Sequence, residues 1–170
     1  MHRYRCWNGP APTTAALASV STGTTIKTML QLAMPSTRKI QIISWGFTID
    51  DPSGADGVVE LIGYNVAATV TAHVAAGVQP LDSGWPASLL TLGASATGYT
   101  ATAEGAITAC RVFDAVSLSS VSAEAAPQMT YSYQFMPDER PYGSVSNFVG
   151  IRATTPTTAV DMRCWICWDE

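Results

Sequence analysis

With 170 residues the chain is long enough for one ordinary domain and short for two, and 47% hydrophobic residues supply a core. A net charge of −4, with nine scattered basic residues, excludes nucleic acid as the main partner, because phosphate binding needs clustered cations. No apolar run reaches the roughly 18 residues of a membrane helix, and stretches such as 66–81 are broken by Thr, His, Gly and Pro.

Positive residues open the chain, but the stretch Cys6–Pro12 cannot form the apolar core of a signal peptide. The four cysteines are therefore expected as thiols in a reducing compartment. Residues 1–24 are rich in Pro, Ala, Thr and Ser without a sustained period, and read as an extended N-terminal arm ahead of a domain over 25–170. From Thr25 the period becomes two: Ile26, Thr28, Leu30 and Leu32 alternate with Lys27, Met29, Gln31 and Ala33 until Pro35. Ile43, Trp45, Phe47 and Ile49 then face one way and Ser44, Gly46 and Thr48 the other, as in a half-buried strand. Turn residues over 50–57 and renewed strand composition over 58–62 predict a long-looped hairpin.

The stretch 63–106 is the least legible. Alternation over 69–74 favours a strand, and Pro86-Ala87-Ser88-Leu89-Leu90 suits a helical turn with Pro at its first position. Strand composition returns over 107–116, and Tyr131, Tyr133 and Phe135 alternate with Thr130, Ser132 and Gln134. Pro137 to Pro141 form a turn, and Phe148 to Ala153 a short strand. In the last strand Val160, Met162, Cys164, Ile166 and Trp168 share one face, and the strand is expected inside its sheet. About eight strands without a long amphipathic helix predict an all-β, single-domain antiparallel β-sandwich or jelly roll.

No combination of residues assembles an expected active site. Cys164 and Cys167 form a CxxC, yet on a strand residues three apart point to opposite faces, against a redox pair or half a zinc site. His73, the internal histidine, sits among Ala, Thr and Val and reads as structural. The acids Asp50, Asp51 and Asp56 miss the spacing of a calcium loop, so no metal or cofactor is expected. Trp45, Trp85, Trp165 and Trp168 are available for sugar stacking, although apolar neighbours favour packing for three of them. Only 13% of residues are charged, about half the usual share. Such a surface is either covered by partner subunits or kept soluble by small polar side chains.

Several stretches carry a resemblance. They are Pro12-Thr13-Thr14-Ala15-Ala16-Leu17, Pro35-Ser36-Thr37-Arg38, Ile43-Ser44-Trp45-Gly46-Phe47, residues 68–74, Pro86 to Gly93, and Arg152 to Pro156 with the ending Cys164 to Glu170. Together they resemble virion structural proteins of tailed bacteriophages, chiefly those infecting actinobacteria, some of which are capsid decoration proteins. The resemblance spans most of the chain and implies a jelly roll that trimerises on the outer surface of the head. The implied partners are the major capsid protein and two further copies of the chain, with neither nucleic acid nor membrane involved. On this reading the N-terminal arm orders on the shell, with Arg3, Tyr4, Arg5, Trp7, Pro10 and Pro12 as its contact residues. The rival readings are a carbohydrate- or host-surface-binding module displayed on the virion, a minor tail or head–tail component, and a small β-sandwich enzyme.

Overall fold

The computed structural model describes residues 2–11, 13–50, 55–119 and 129–170. Thirteen strands lie among them: β1 (Arg3–Trp7), β2 (Val20–Ser21), β3 (Lys27–Ala33), β4 (Ile40–Ile49), β5 (Gly57–Tyr64), β6 (Thr69–Ala72), β7 (Val78–Pro80), β8 (Gly98–Ala103), β9 (Cys110–Leu118), β10 (Met129–Gln134), β11 (Tyr142–Gly143), β12 (Phe148–Thr154) and β13 (Asp161–Asp169). The first sheet runs β10-β4-β13-β1-β7, with β11 beside β4 and β2 beside β13. The second runs β6-β8-β3-β12-β5-β9. Every pairing between these strands is antiparallel, so the expected all-β sandwich is what the chain forms. The strand count exceeds eight because several strands are only two to four residues long.

The core lies between the sheets. Tyr4, Trp45, Phe47, Met162, Ile166 and Trp168 come from the first sheet, and Leu30, Leu32, Leu61 and Ile151 from the second, all essentially without exposure. Each such aliphatic or aromatic side chain contributes about 1.5–3 kcal/mol on leaving water. Strand β13 has the face expected of it and sits centrally, between β4 and β1.

Strand β3 is buried on both faces, because the chain between β5 and β8 folds over its outer side. There the fully buried Gln31 accepts hydrogen bonds from the Tyr64 hydroxyl (2.8 Å) and the Ala68 amide (2.9 Å). Its own amide donates to the carbonyl oxygens of Ala96 (2.6 Å) and Ala68 (3.3 Å). A buried amide with all its bonds made fixes the position of that cover. Gly150 makes it possible: a Cβ there would stand 2.9 Å from the Tyr64 hydroxyl.

Four expectations are corrected. Residues 3–7 are not an arm but strand β1, paired with β13 on one side and β7 on the other. Strands β4 and β5 form no hairpin, since they belong to opposite sheets. Residues 86–90 form no helical turn. They are held in place by the Tyr4 hydroxyl, which donates to the Pro86 carbonyl oxygen (2.9 Å), and by the Glu170 carboxylate, which accepts from the Leu89 amide (2.8 Å). Ile43 leaves the phase of Trp45 because a bulge in β4 puts Ile42 opposite Trp168 and Ser44 opposite Cys167.

Candidate functional site

The residues expected to touch a shell divide between the two faces of β1. Arg3, Arg5 and Trp7 lie on the outer face of the first sheet, in register with Asp169, Cys167 and Trp165. Arg3 Nε donates to Asp169 Oδ1 at 3.1 Å. The Arg5 guanidinium stands 4.9 Å over the Trp165 ring, and Trp7 packs beside that ring at 6.2 Å. Gly46 lets the indole lie flat, since a Cβ there would sit 3.0 Å from it. Tyr4 does not belong with them: it is in the core, stacked on Trp168 at 5.9 Å. Pro10 is exposed beyond the end of β1, and Pro12 lies outside the described residues.

Three of the four cysteines and His73 are absorbed into packing. Cys164 faces the core and Cys167 the outer face of β13, and both are buried. Burial pushes the thiols of Cys6, Cys164 and Cys167 upward, away from the thiolate a nucleophile needs. Cys110, on β9, is exposed. His73 is 4% exposed; its Nε2 lies 2.8 Å from the Trp7 carbonyl oxygen and its ring packs on Tyr99. Burial lowers its pKa, and the hydrogen bond to Trp7 opposes that shift only in part. Nδ1 has no hydrogen-bond partner among the described residues and lies against Gly77, where a Cβ would meet it at 2.4 Å.

Of the loop acids, Asp50 pairs with Arg163 at 3.2 Å, and Asp51 lies outside the described residues. Among the described residues no group of three or more His, Cys, Asp or Glu is placed to hold a metal ion. Asp114 was not singled out by sequence, yet it ties the sheets together. Its Oδ2 accepts from Trp45 Nε1 (3.0 Å) and the Tyr131 hydroxyl (2.7 Å). The Tyr131 phenol is pushed up to about 12, by burial first and by that carboxylate second.

What remains available is surface at the two lateral edges of the sandwich. Ten large apolar side chains are exposed among the described residues. Val112 on β9, Tyr133 on β10, Tyr142 on β11 and the loop residues Met136 and Val145 are among them; Val112 and Tyr142 line grooves of about 140 and 490 Å³ that share Arg111, Phe113, Tyr142 and Ser144. On the side of β7, Leu81 lines a hollow of about 330 Å³ with Arg3, Trp85 and Asp169, and Leu92 lines a separate one of about 340 Å³; Val74 and Leu89 are exposed in the same stretch of chain. The alternation rule missed these exposed residues, because it assigns residues to faces of a sheet and not to its ends. No protein-family model matches the chain, and no curated protein or solved structure matches it significantly.

Proposed function

We propose that the chain is a non-catalytic structural protein of a bacteriophage particle, a capsid decoration protein that trimerises on the outer surface of the head and stabilises the shell. The single observation that carries a structural role is the set of exposed apolar side chains on the outermost strands of the sandwich and in the segments beside them. Scattered apolar residues are ordinary on a protein surface, whereas contiguous apolar patches mark places that other proteins cover. The phage assignment draws on the resemblance of the motifs at 12–17, 43–47, 86–93 and 164–170. The low share of charged residues and the absorption of Cys6, Cys164, Cys167 and His73 into packing support it.

Decoration works by bridging neighbouring capsomers, so modest contacts repeated over a shell add up to collective resistance against internal pressure. The outer-face group Arg3, Arg5 and Trp7, with Trp165, is the part of the N-terminal region available to a shell; Tyr4 is not. No helix among the described residues is long and apolar enough to cross a membrane.

Two measurements test the reading. Quantitative gels of purified particles should give a copy number in the hundreds, where a handful means a tail or connector component. Purified chain added to expanded heads lacking it should bind saturably and raise their resistance to heat. Absence of binding contradicts the proposal.

A further inference from the structure

We propose that His73 is an acid-released latch between the two sheets, whose protonation lets strand β6 open away from β1 while the rest of the sandwich stays folded. The inference goes beyond the structural role proposed above and does not depend on it. His73 directly follows β6, an outermost strand of the second sheet among the described residues. The carbonyl oxygen that its ring meets belongs to Trp7, the last residue of β1 in the first sheet, 2.8 Å away. One imidazole thus joins the two sheets at this edge.

The ring is held in a single protonation state. A carbonyl oxygen only accepts, so Nε2 carries the proton of the neutral imidazole and Nδ1 is left bare. Nδ1 is buried without a hydrogen-bond partner among the described residues and lies against Gly77, which has no side chain to offer it. A proton taken up there makes a buried cation with one of its two N–H groups unanswered. The surroundings do not offset that charge. Trp7 from β1, Tyr99 from β8 and the turn Ala75–Gly77 face the ring, and of these only Tyr99 is titratable; none brings a carboxylate. Burial disfavours the charged ring more than the Trp7 bond favours it, and no neighbouring charge among the described residues contributes.

The strand behind the latch is weakly stitched. Of the four residues of β6 only Val70 is buried, and among the described strands β6 pairs with β8 alone, in a register that shifts twice. Thr100 bulges out of β8 between the partners of Val70 and Thr71, with a φ of 53° that strains a β-branched residue. The apolar contacts beneath are three small residues, Ala68, Val70 and Ala101, in a cluster separate from the main core. A segment with so few buried contacts opens at less cost than the whole domain. Gln31 pins Ala68 on one side, and β7 is paired with β1 on the other, which confines the opening to residues 69–77.

Hydrogen exchange on the full chain at about pH 7.5 and about pH 5, with and without urea below the unfolding transition, tests the latch. Rates are expressed as protection relative to free peptide, which removes the intrinsic effect of pH. Because the closed ring binds a proton less readily than the open one, the closed form is favoured above about pH 6.5 and is lost as pH falls. The amides of Val70 and His73 donate to the carbonyl oxygens of Ala94 and Thr97. Their protection should be at least about tenfold below that of β13 and should not respond to the urea, which marks local opening. Between the two pH values it should fall about tenfold or more, up to the roughly thirtyfold that one proton permits. His73→Gln can still donate to the Trp7 carbonyl oxygen but does not titrate, so the same amides should then hold their protection across the range. Val70 and His73 amides that share the urea response of β13 overturn the proposal, as does parental protection that ignores pH or an equal fall in His73→Gln. Should that variant not fold, the ring of the parent is titrated by NMR: a His73 titration that leaves Val70 protection unchanged overturns the latch, and one that tracks it supports it.

Discussion

The middle of the first sheet and its two ends treat the same kinds of residue in opposite ways. Along β1 and β13 the apolar side chains Tyr4, Cys6, Cys164, Ile166 and Trp168 are shut into the core. The pairing there continues past β1, because Asn8 Nδ2 donates to the Met162 carbonyl oxygen (3.0 Å) and Asn8 Oδ1 accepts from the Cys164 amide (2.7 Å). At the ends, Val112, Met136, Tyr142 and Leu81 are left in solvent on or near strands that are outermost among the described residues. The centre holds one chain together. The ends have surface left over for other chains.

Perturbing the centre should have the largest effect. Deleting residues 1–24 removes a strand from the interior of the first sheet, and the product should show no cooperative unfolding transition by circular dichroism. Tyr4→Ala keeps the backbone but empties the site beside Trp168, and should cost about 3–5 kcal/mol in urea unfolding. Had residues 3–7 been an arm, both changes would leave stability untouched.

Next in size is the polar anchor under the second sheet. Gln31→Leu leaves the Tyr64 hydroxyl and the Ala68 amide buried without their acceptor, a loss of about 2–4 kcal/mol. Tyr64→Phe in the same background should recover part of it, because one of the stranded groups is then gone.

A smaller effect comes with pH. Because burial holds the His73 imidazole below its usual 6.5, the unfolded chain binds more protons than the folded one as pH falls from about 6.5. Stability from this group is therefore complete above about pH 6.5 and declines as pH drops toward and through the lowered folded value. Urea midpoints measured from about pH 8 to about pH 5 should show that slope, and His73→Gln should flatten it. The smallest effect belongs to the ends: Val112→Ser should change the stability of the isolated chain by no more than about 0.5 kcal/mol while weakening its association.

Much of the fold was legible in the residues. The Met162 to Trp168 alternation gave the orientation of β13, and strand residues with turn punctuation gave the class. Strand β1 was missed although Arg3-Tyr4-Arg5-Cys6-Trp7 does alternate, with Tyr4 and Cys6 inward. Its five residues are short and stand beside a Pro- and Ala-rich stretch that breaks any longer period. Alternation identifies a strand without naming its partner, which is why β4 and β5 read as a hairpin. Ile43 shows the other limit, since a single bulged residue reverses the phase. The non-helical course of 86–90 is tied to residues 4 and 170, beyond any local signal. The exposed apolar residues near the outermost strands were hidden for the same reason: sheet order decides which strands stand at the ends.

Hydrogen exchange on the full chain at high and at low protein concentration tests the contrast between centre and ends most directly. Amides of 3–7 and 161–169 should exchange slowly and equally in both samples, while segments 78–92 and 110–118 should slow markedly in the concentrated one. Edge segments exchanging at the same rate in both samples would contradict it.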